Sequence, residues 1–199
     1  MLHGIDISLY QRKLDKDYIR SQDFVIIKAS EGTTIKDPCL DMHYDTIHGS
    51  SDGKPDPDKC YGFYHYARPE RGNGPVKEAE KFLSLVGHHA GYAMYCLDWE
   101  GTAHKYPISW AHEWMDHVFE QTGVRPLIYT SASYAKNMKE LADDNYGLWV
   151  AHWGVKKPST GAWPFWAVWQ YQVDRKINVD QDYFNGSKEQ FHKYCVKVK

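Results

Sequence analysis

The 199-residue chain carries 24 basic and 26 acidic side chains for a formal charge of -2, which gives nucleic acid or an anionic membrane no electrostatic footing as a partner. No apolar run approaches the ~20 residues needed to cross a bilayer, and the N-terminus lacks the basic-then-apolar order of a secretory leader. Its four cysteines are widely spaced with no C-x-x-C pair, and its eleven histidines lack metal-ligand spacing. Buried free thiols are therefore expected, and neither a metal nor a cofactor.

Short apolar runs alternate with helical patterns along the chain. Strands are predicted near residues 4–7, 24–29, 61–66, 92–98, 126–130, 147–151, 167–171 and 178–180. Several, such as Phe24-Val25-Ile26-Ile27, are apolar without alternation, as strands covered on both faces should be. The polar stretch over residues 50–59 reads as a loop. Pro75 opens a helix whose Ala79, Phe82, Leu83 and Val86 form an apolar stripe ending at Gly87. Trp110, Trp114 and Val118 recur at i, i+4 and i+8 on the next. Ser187 and Gln190 form a capping box for the last helix, which carries Phe191 and Tyr194. From about Val150 to Asp180 no helix is predicted. This order predicts an α/β fold, a single irregular β/α barrel of eight strands with few helices in its C-terminal third, with residues 1–199 as one catalytic domain. An open doubly wound sheet is the competing architecture, weakened because the glycines after the first strand form no phosphate loop.

The run Tyr95-Cys96-Leu97-Asp98-Trp99-Glu100 ends in two carboxylates one residue apart. On a strand, Asp98 and Glu100 project to the same side. Two crowded acids suit glycosidic-bond cleavage, where one group donates a proton and another stabilises an oxocarbenium-like transition state. In isolation an acidic strand end facing solvent would be the better reading of such a pair. In a barrel, however, the C-terminal strand ends form the reactive mouth. Asp6, Asp98 with Glu100, and Asp180 with Asp182 would meet there from three strands, together with Tyr129, Trp153 and Gln170. Aromatic residues make 15% of the chain; most must be core, but Trp99, Trp153 and Tyr171 fall where rings can stack on sugar faces. Lys28 and Glu31 read as a structural ion pair.

Eight segments in order, G-I-D-I-S, I-K-A-S-E-G, G-F-Y-H-Y-A-R-P, Y-C-L-D-W-E, P-L-I-Y-T-S, L-W-V-A-H-W, W-Q-Y and V-D-Q-D-Y-F-N-G, resemble those of the glycoside hydrolase family 25 lysozymes, which include many phage endolysins. The resemblance runs nearly end to end. It implies hydrolysis of the β-1,4 bond from N-acetylmuramic acid to N-acetylglucosamine in peptidoglycan. By the same resemblance Glu100 is the general acid/base, and Asp98, Asp6 and Asp180 are the other active-site carboxylates, with Asp182 the alternative to Asp180. Tyr64, His65, Arg68, Trp99, Tyr129, Trp153 and Gln170 are candidate substrate contacts; His65 and Arg68 fit a structural role equally well. Trp99 is bulkier than the small aliphatic residue often found between the two acids. Retention of configuration is expected, whether Asp98 attacks directly or orients the substrate's acetamido group. A chitinase-like hydrolase and a non-catalytic glycan-binding barrel are the alternatives; Met94 and Trp99 break the longer chitinase acid motif. The expected partner is the glycan strand of the bacterial wall, met by a monomer. Without a leader, a phage-encoded enzyme that reaches the wall from host cytoplasm is expected.

Overall fold

The computed structural model describes residues 1–48 and 59–198. Apart from Lys59, the polar loop expected at residues 50–59 lies outside them. The strands are β1 (Leu2–Ile7), β2 (Phe24–Glu31), β3 (Ile35–Lys36), β4 (Cys60–Tyr66), β5 (Met94–Asp98), β6 (Leu127–Ser131), β7 (Gly147–Ala151), β8 (Val168–Asp174) and β9 (Val179–Phe184). Eight of them close into a barrel in the order β1-β2-β4-β5-β6-β7-β8-β9, with β9 pairing back to β1; β3 is a two-residue addition to the edge of β2. The helices are α1 (Lys16–Arg20), α2 (Leu40–His48), α3 (Pro75–Val86), α4 (Ile108–Thr122), α5 (Ala132–Ala135), α6 (Lys139–Asp143) and α7 (Lys188–Lys193). As expected, none interrupts the chain between β7 and β9.

Alternation along each strand splits the core in two. Ile5, Ile7, Val25, Ile27, Phe63, Tyr95 and Leu97 face outward and pack beneath helices that contribute Phe82, Val86, Trp114 and Val118. Their neighbours Phe24, Ile26, Met94, Cys96, Leu127, Val168 and Phe184 fill the barrel interior. The Ser187–Gln190 capping box is present at α7, and it places Phe191 with its ring centroid 5.5 Å from Phe24 and 5.1 Å from Phe184. That helix seals one end of the barrel. The polar residues are left to the other.

β7 runs parallel to β8, but β9 runs antiparallel to both β8 and β1. The last strand is therefore the return arm of a hairpin, and it extends to Phe184 instead of ending at Asp180. Asp180 reaches the mouth from near the N-terminal end of β9, not from a C-terminal end as the sequence suggested.

Candidate active site

The mouth holds a cleft lined by Asp6, Ser8, Tyr10, Gln11, Lys28, Tyr64, Tyr66, Asp98, Glu100, Tyr129, Trp149, Gln170 and Asp180. Asp98 is the last residue of β5 and Glu100 continues its inward-facing series just beyond. Asp6 comes from β1 and stands opposite Asp180 in the β1–β9 register.

Gln170 ties three strands together. Its Nε2 donates to Asp6 Oδ2 at 2.9 Å, while its Oε1 accepts from the Tyr129 hydroxyl at 3.1 Å and the Trp153 indole at 3.2 Å. Trp153 itself is half exposed, on the rim. Asp182, two residues along β9, lies below the cleft, fully buried, and accepts from Trp149 Nε1 at 2.8 Å. Burial, followed by the charge of Asp6, pushes its carboxyl well up. Asp180 thus lines the cleft, and Asp182 braces Asp6 from beneath.

Burial raises all four lining carboxyls, and neighbouring carboxylates add to it for Asp6, Asp98 and Glu100. Burial, followed by Asp180, pushes Asp6 up to about 7. Burial, then Glu100, pushes Asp98 well above the carboxylate range. Burial, then Asp180, raises Glu100, and burial raises Asp180. Asp98 and Glu100 therefore titrate above their ordinary values as an interacting pair. One oxygen, Asp98 Oδ1, is buried without a hydrogen-bond partner.

Three expected contacts lie elsewhere, two of them by the same alternation that unites the acids. Trp99, between Asp98 and Glu100, turns outward, is fully buried and packs 5.4 Å from Trp110. It neither meets a sugar nor covers Glu100. His65, between the inward-facing Tyr64 and Tyr66, is likewise buried in the outer layer, bonded to Ser30 at 2.8 Å and Glu78 at 2.8 Å. Arg68 is engaged by Glu31 and Glu70 and sits 4.5 Å over the Tyr66 ring, outside the cleft lining.

The family-25 sequence profile, described as glycosyl hydrolases family 25, matches residues 5–179. The chain belongs to that family. It is a glycosidase by membership, and its family-25 relatives span most of its length. Lysozyme M1 of Streptomyces globisporus is 28% identical over 94% of this chain and 68% of its own. The N,O-diacetylmuramidase of Arthroderma benhamiae is 29% identical over 98% and 86%. Among solved structures, the family GH25 lysozyme from Aspergillus fumigatus superposes with a TM-score of 0.82 at 28% identity, covering 98% of this chain and 99% of that one.

Sequence reasoning missed several residues that line this family-25 cleft. Lys28 was read only as the ion-pair partner of Glu31. That pair exists, at 2.8 Å, yet Lys28 is also the one cation among the described lining residues. Its position two residues after the inward-facing Ile26 was the available signal. Tyr10 and Gln11 follow β1 on a short 3-10 turn, Leu9–Gln11, capped by Ser8. That turn also walls the mouth.

Proposed function

We propose that this family-25 glycosidase is a lysozyme that cleaves the β-1,4 bond between N-acetylmuramic acid and N-acetylglucosamine, with Glu100 as acid/base and retention of configuration. The single observation that carries the residue assignment is the convergence of Asp6, Asp98, Glu100 and Asp180 from three strands on one cleft. The muramidase names of the relatives support the substrate.

In this reading Glu100 gives its proton to the leaving glycosidic oxygen and then removes one from water. The substrate settles where the proton of the pair resides. When an acetamido N–H donates to the unpartnered Asp98 Oδ1, the charged form of Asp98 is favoured, and the shared proton moves onto Glu100. Asp98 then stands ionised beside the anomeric carbon, as nucleophile or as the group that orients the acetamido oxygen. Asp6 and Asp180, in their ionised forms, make the local potential negative, which favours positive charge developing on the sugar ring. Tyr129, Tyr64 and Trp153 contact the saccharide, and Gln170 holds Asp6 and Tyr129 in register. The protein acts on the glycan strands of the bacterial wall, as the lysozyme and muramidase names of its relatives support.

The test is the identity of the new reducing end. Soluble fragments from purified peptidoglycan, reduced with borohydride and analysed by mass spectrometry, should carry muramitol. Glucosaminitol ends, or no fragments, would overturn the substrate assignment.

A further inference from the structure

Glu100 stands one step past the regular sheet. The β5–β6 pairing ends at Asp98 and Tyr129, and beyond it Trp99 N–H donates to Tyr129 O at 3.0 Å. The Trp99 carbonyl, which shares one rigid peptide plane with the Glu100 nitrogen, is met by a side chain instead. Gly101, at φ 56°, turns the chain back in a left-handed step, and the 3-10 turn Gly101–Lys105 brings His104 behind the strand ends. There His104 Nε2 lies 2.9 Å from Trp99 O and 2.9 Å from Thr130 Oγ1.

A carbonyl cannot donate, so Nε2 carries the proton. Burial lowers the imidazole below its usual range, offset in part by the Trp99 carbonyl. A second proton would enter at Nδ1 and leave the Nε2 donor in place. The ring is itself held. It stacks on Tyr134 of α5 with centroids 3.7 Å apart and planes 5° apart, and the Tyr134 hydroxyl donates to His104 O at 2.9 Å. Thr130, beside it on β6, is fully buried. His104 does not line the cleft, so its reach to the reaction runs through the Trp99–Glu100 peptide.

We propose that His104 is a positioning residue for Glu100: its Nε2–H clamps the peptide that carries Glu100 and fixes the direction in which the acid/base enters the cleft. This rests on the acid/base reading of Glu100 above. Packing against Tyr134 alone would need the ring and not its proton. Clamping needs the donor and not the ring. The two demands separate in two variants. His104→Phe keeps an aromatic ring on Tyr134 and removes the donor. His104→Gln removes the ring and places an amide N–H the same number of bonds along the side chain.

The experiment measures reducing ends released from soluble glycan strands freed of stem peptide. In His104→Phe kcat should fall about tenfold or more, with KM within about twofold of wild type, and His104→Gln should recover most of the loss. The carboxyls of Asp6, Asp98 and Asp180, the cations Lys28 and Arg68, and the hydroxyls of Tyr66 and Tyr129 surround Glu100 and are unaltered in both variants. The alkaline limb of kcat therefore reports the burial of Glu100 itself. Burial raises that carboxyl, and a side chain freed to reach water titrates lower. The limb should move to lower pH in His104→Phe and stay in place in His104→Gln. Wild-type kcat from folded His104→Phe, a loss confined to KM, or a His104→Gln as impaired as His104→Phe overturns the clamp alone. Whether or not either variant folds, long-range proton–nitrogen NMR of the wild type should show the His104 ring protonated at Nε2; a neutral ring with its proton on Nδ1 overturns the clamp too. If wild type releases no reducing ends, or Glu100→Gln releases them at the wild-type rate, the acid/base reading falls and the positioning role with it.

Discussion

Removing the cation from the cleft is a severe test of its electrostatics. Lys28 is held by Glu31 at 2.8 Å, with its ammonium 4.9 Å from the Tyr66 ring, and Glu31 is shared with Arg68 and Arg71. The charged and titratable groups facing it are Asp98 at the end of β5 and Glu100 just beyond it, Asp6 of β1, Tyr64 and Tyr66 of β4, and Glu31 and Arg68. Its charge lowers both Asp98 and Glu100 against the burial that raises them. Lys28→Met keeps the length and loses the charge. At an effective dielectric of about 20, a unit charge across a cleft contributes roughly 1–2 kcal/mol, or about one pH unit. Both carboxyls then titrate higher. The acid limb of kcat/KM, set by the group that must be ionised, and the alkaline limb, set by the group that must be protonated, both move up. Because Glu31 retains two arginines, the stability cost should stay near 1–3 kcal/mol. Rates of turbidity loss on wall suspensions from pH 4 to 9, with thermal melts alongside, measure this. An unmoved profile from a folded variant would refute the role given to Lys28.

Glu78 accepts from His65 Nε2 at 2.8 Å, Arg68 N–H at 3.0 Å and Asn73 at 3.1 Å; the His65 and Glu78 side chains are wholly buried, and burial favours the neutral imidazole. Glu78→Ala leaves these buried donors without their acceptor and should therefore cost about 2–5 kcal/mol in urea unfolding, and a cost below about 1 kcal/mol would contradict that burial. Asp98→Asn should lose activity and gain stability. Because its folded pKa lies above the unfolded one, the stability Asp98 gives is complete at low pH and is lost as pH rises through the folded value. The variant should thus melt above wild type at pH 7 and converge with it near pH 3, whereas a lower melting temperature at pH 7 would contradict the crowding. Proton NMR of freshly released reducing sugar should show the β-anomer first; an initial α-anomer would mean inversion.

The barrel and the paired acids were legible because alternation on a strand is a short-range rule: Asp98 and Glu100 must share a side. That rule, applied one residue further, also excludes Trp99 and His65 from the cleft. Their aromatic or polar character had outweighed their register. The direction of β9 was not legible. V-D-Q-D-Y-F alternates equally well as a parallel strand or as a hairpin arm, and only the pairing with β8 and β1 decides. Asp182 illustrates the consequence. Two-residue spacing puts it on the side of Asp180, but depth along the barrel separates a cleft residue from a buried brace. The Tyr10 wall depends on Gln11 meeting Asn178, 167 residues away, a contact that no local pattern announces.

Glu100→Gln tests the central claim most directly, because the amide keeps the shape of the side chain and cannot deliver a proton. Reducing ends released from purified peptidoglycan should fall by at least about a hundredfold against wild type, while the thermal melt shows a folded protein. Near-normal turnover from that folded variant would contradict the assignment of Glu100 as acid/base, and with it the account of the paired carboxylates.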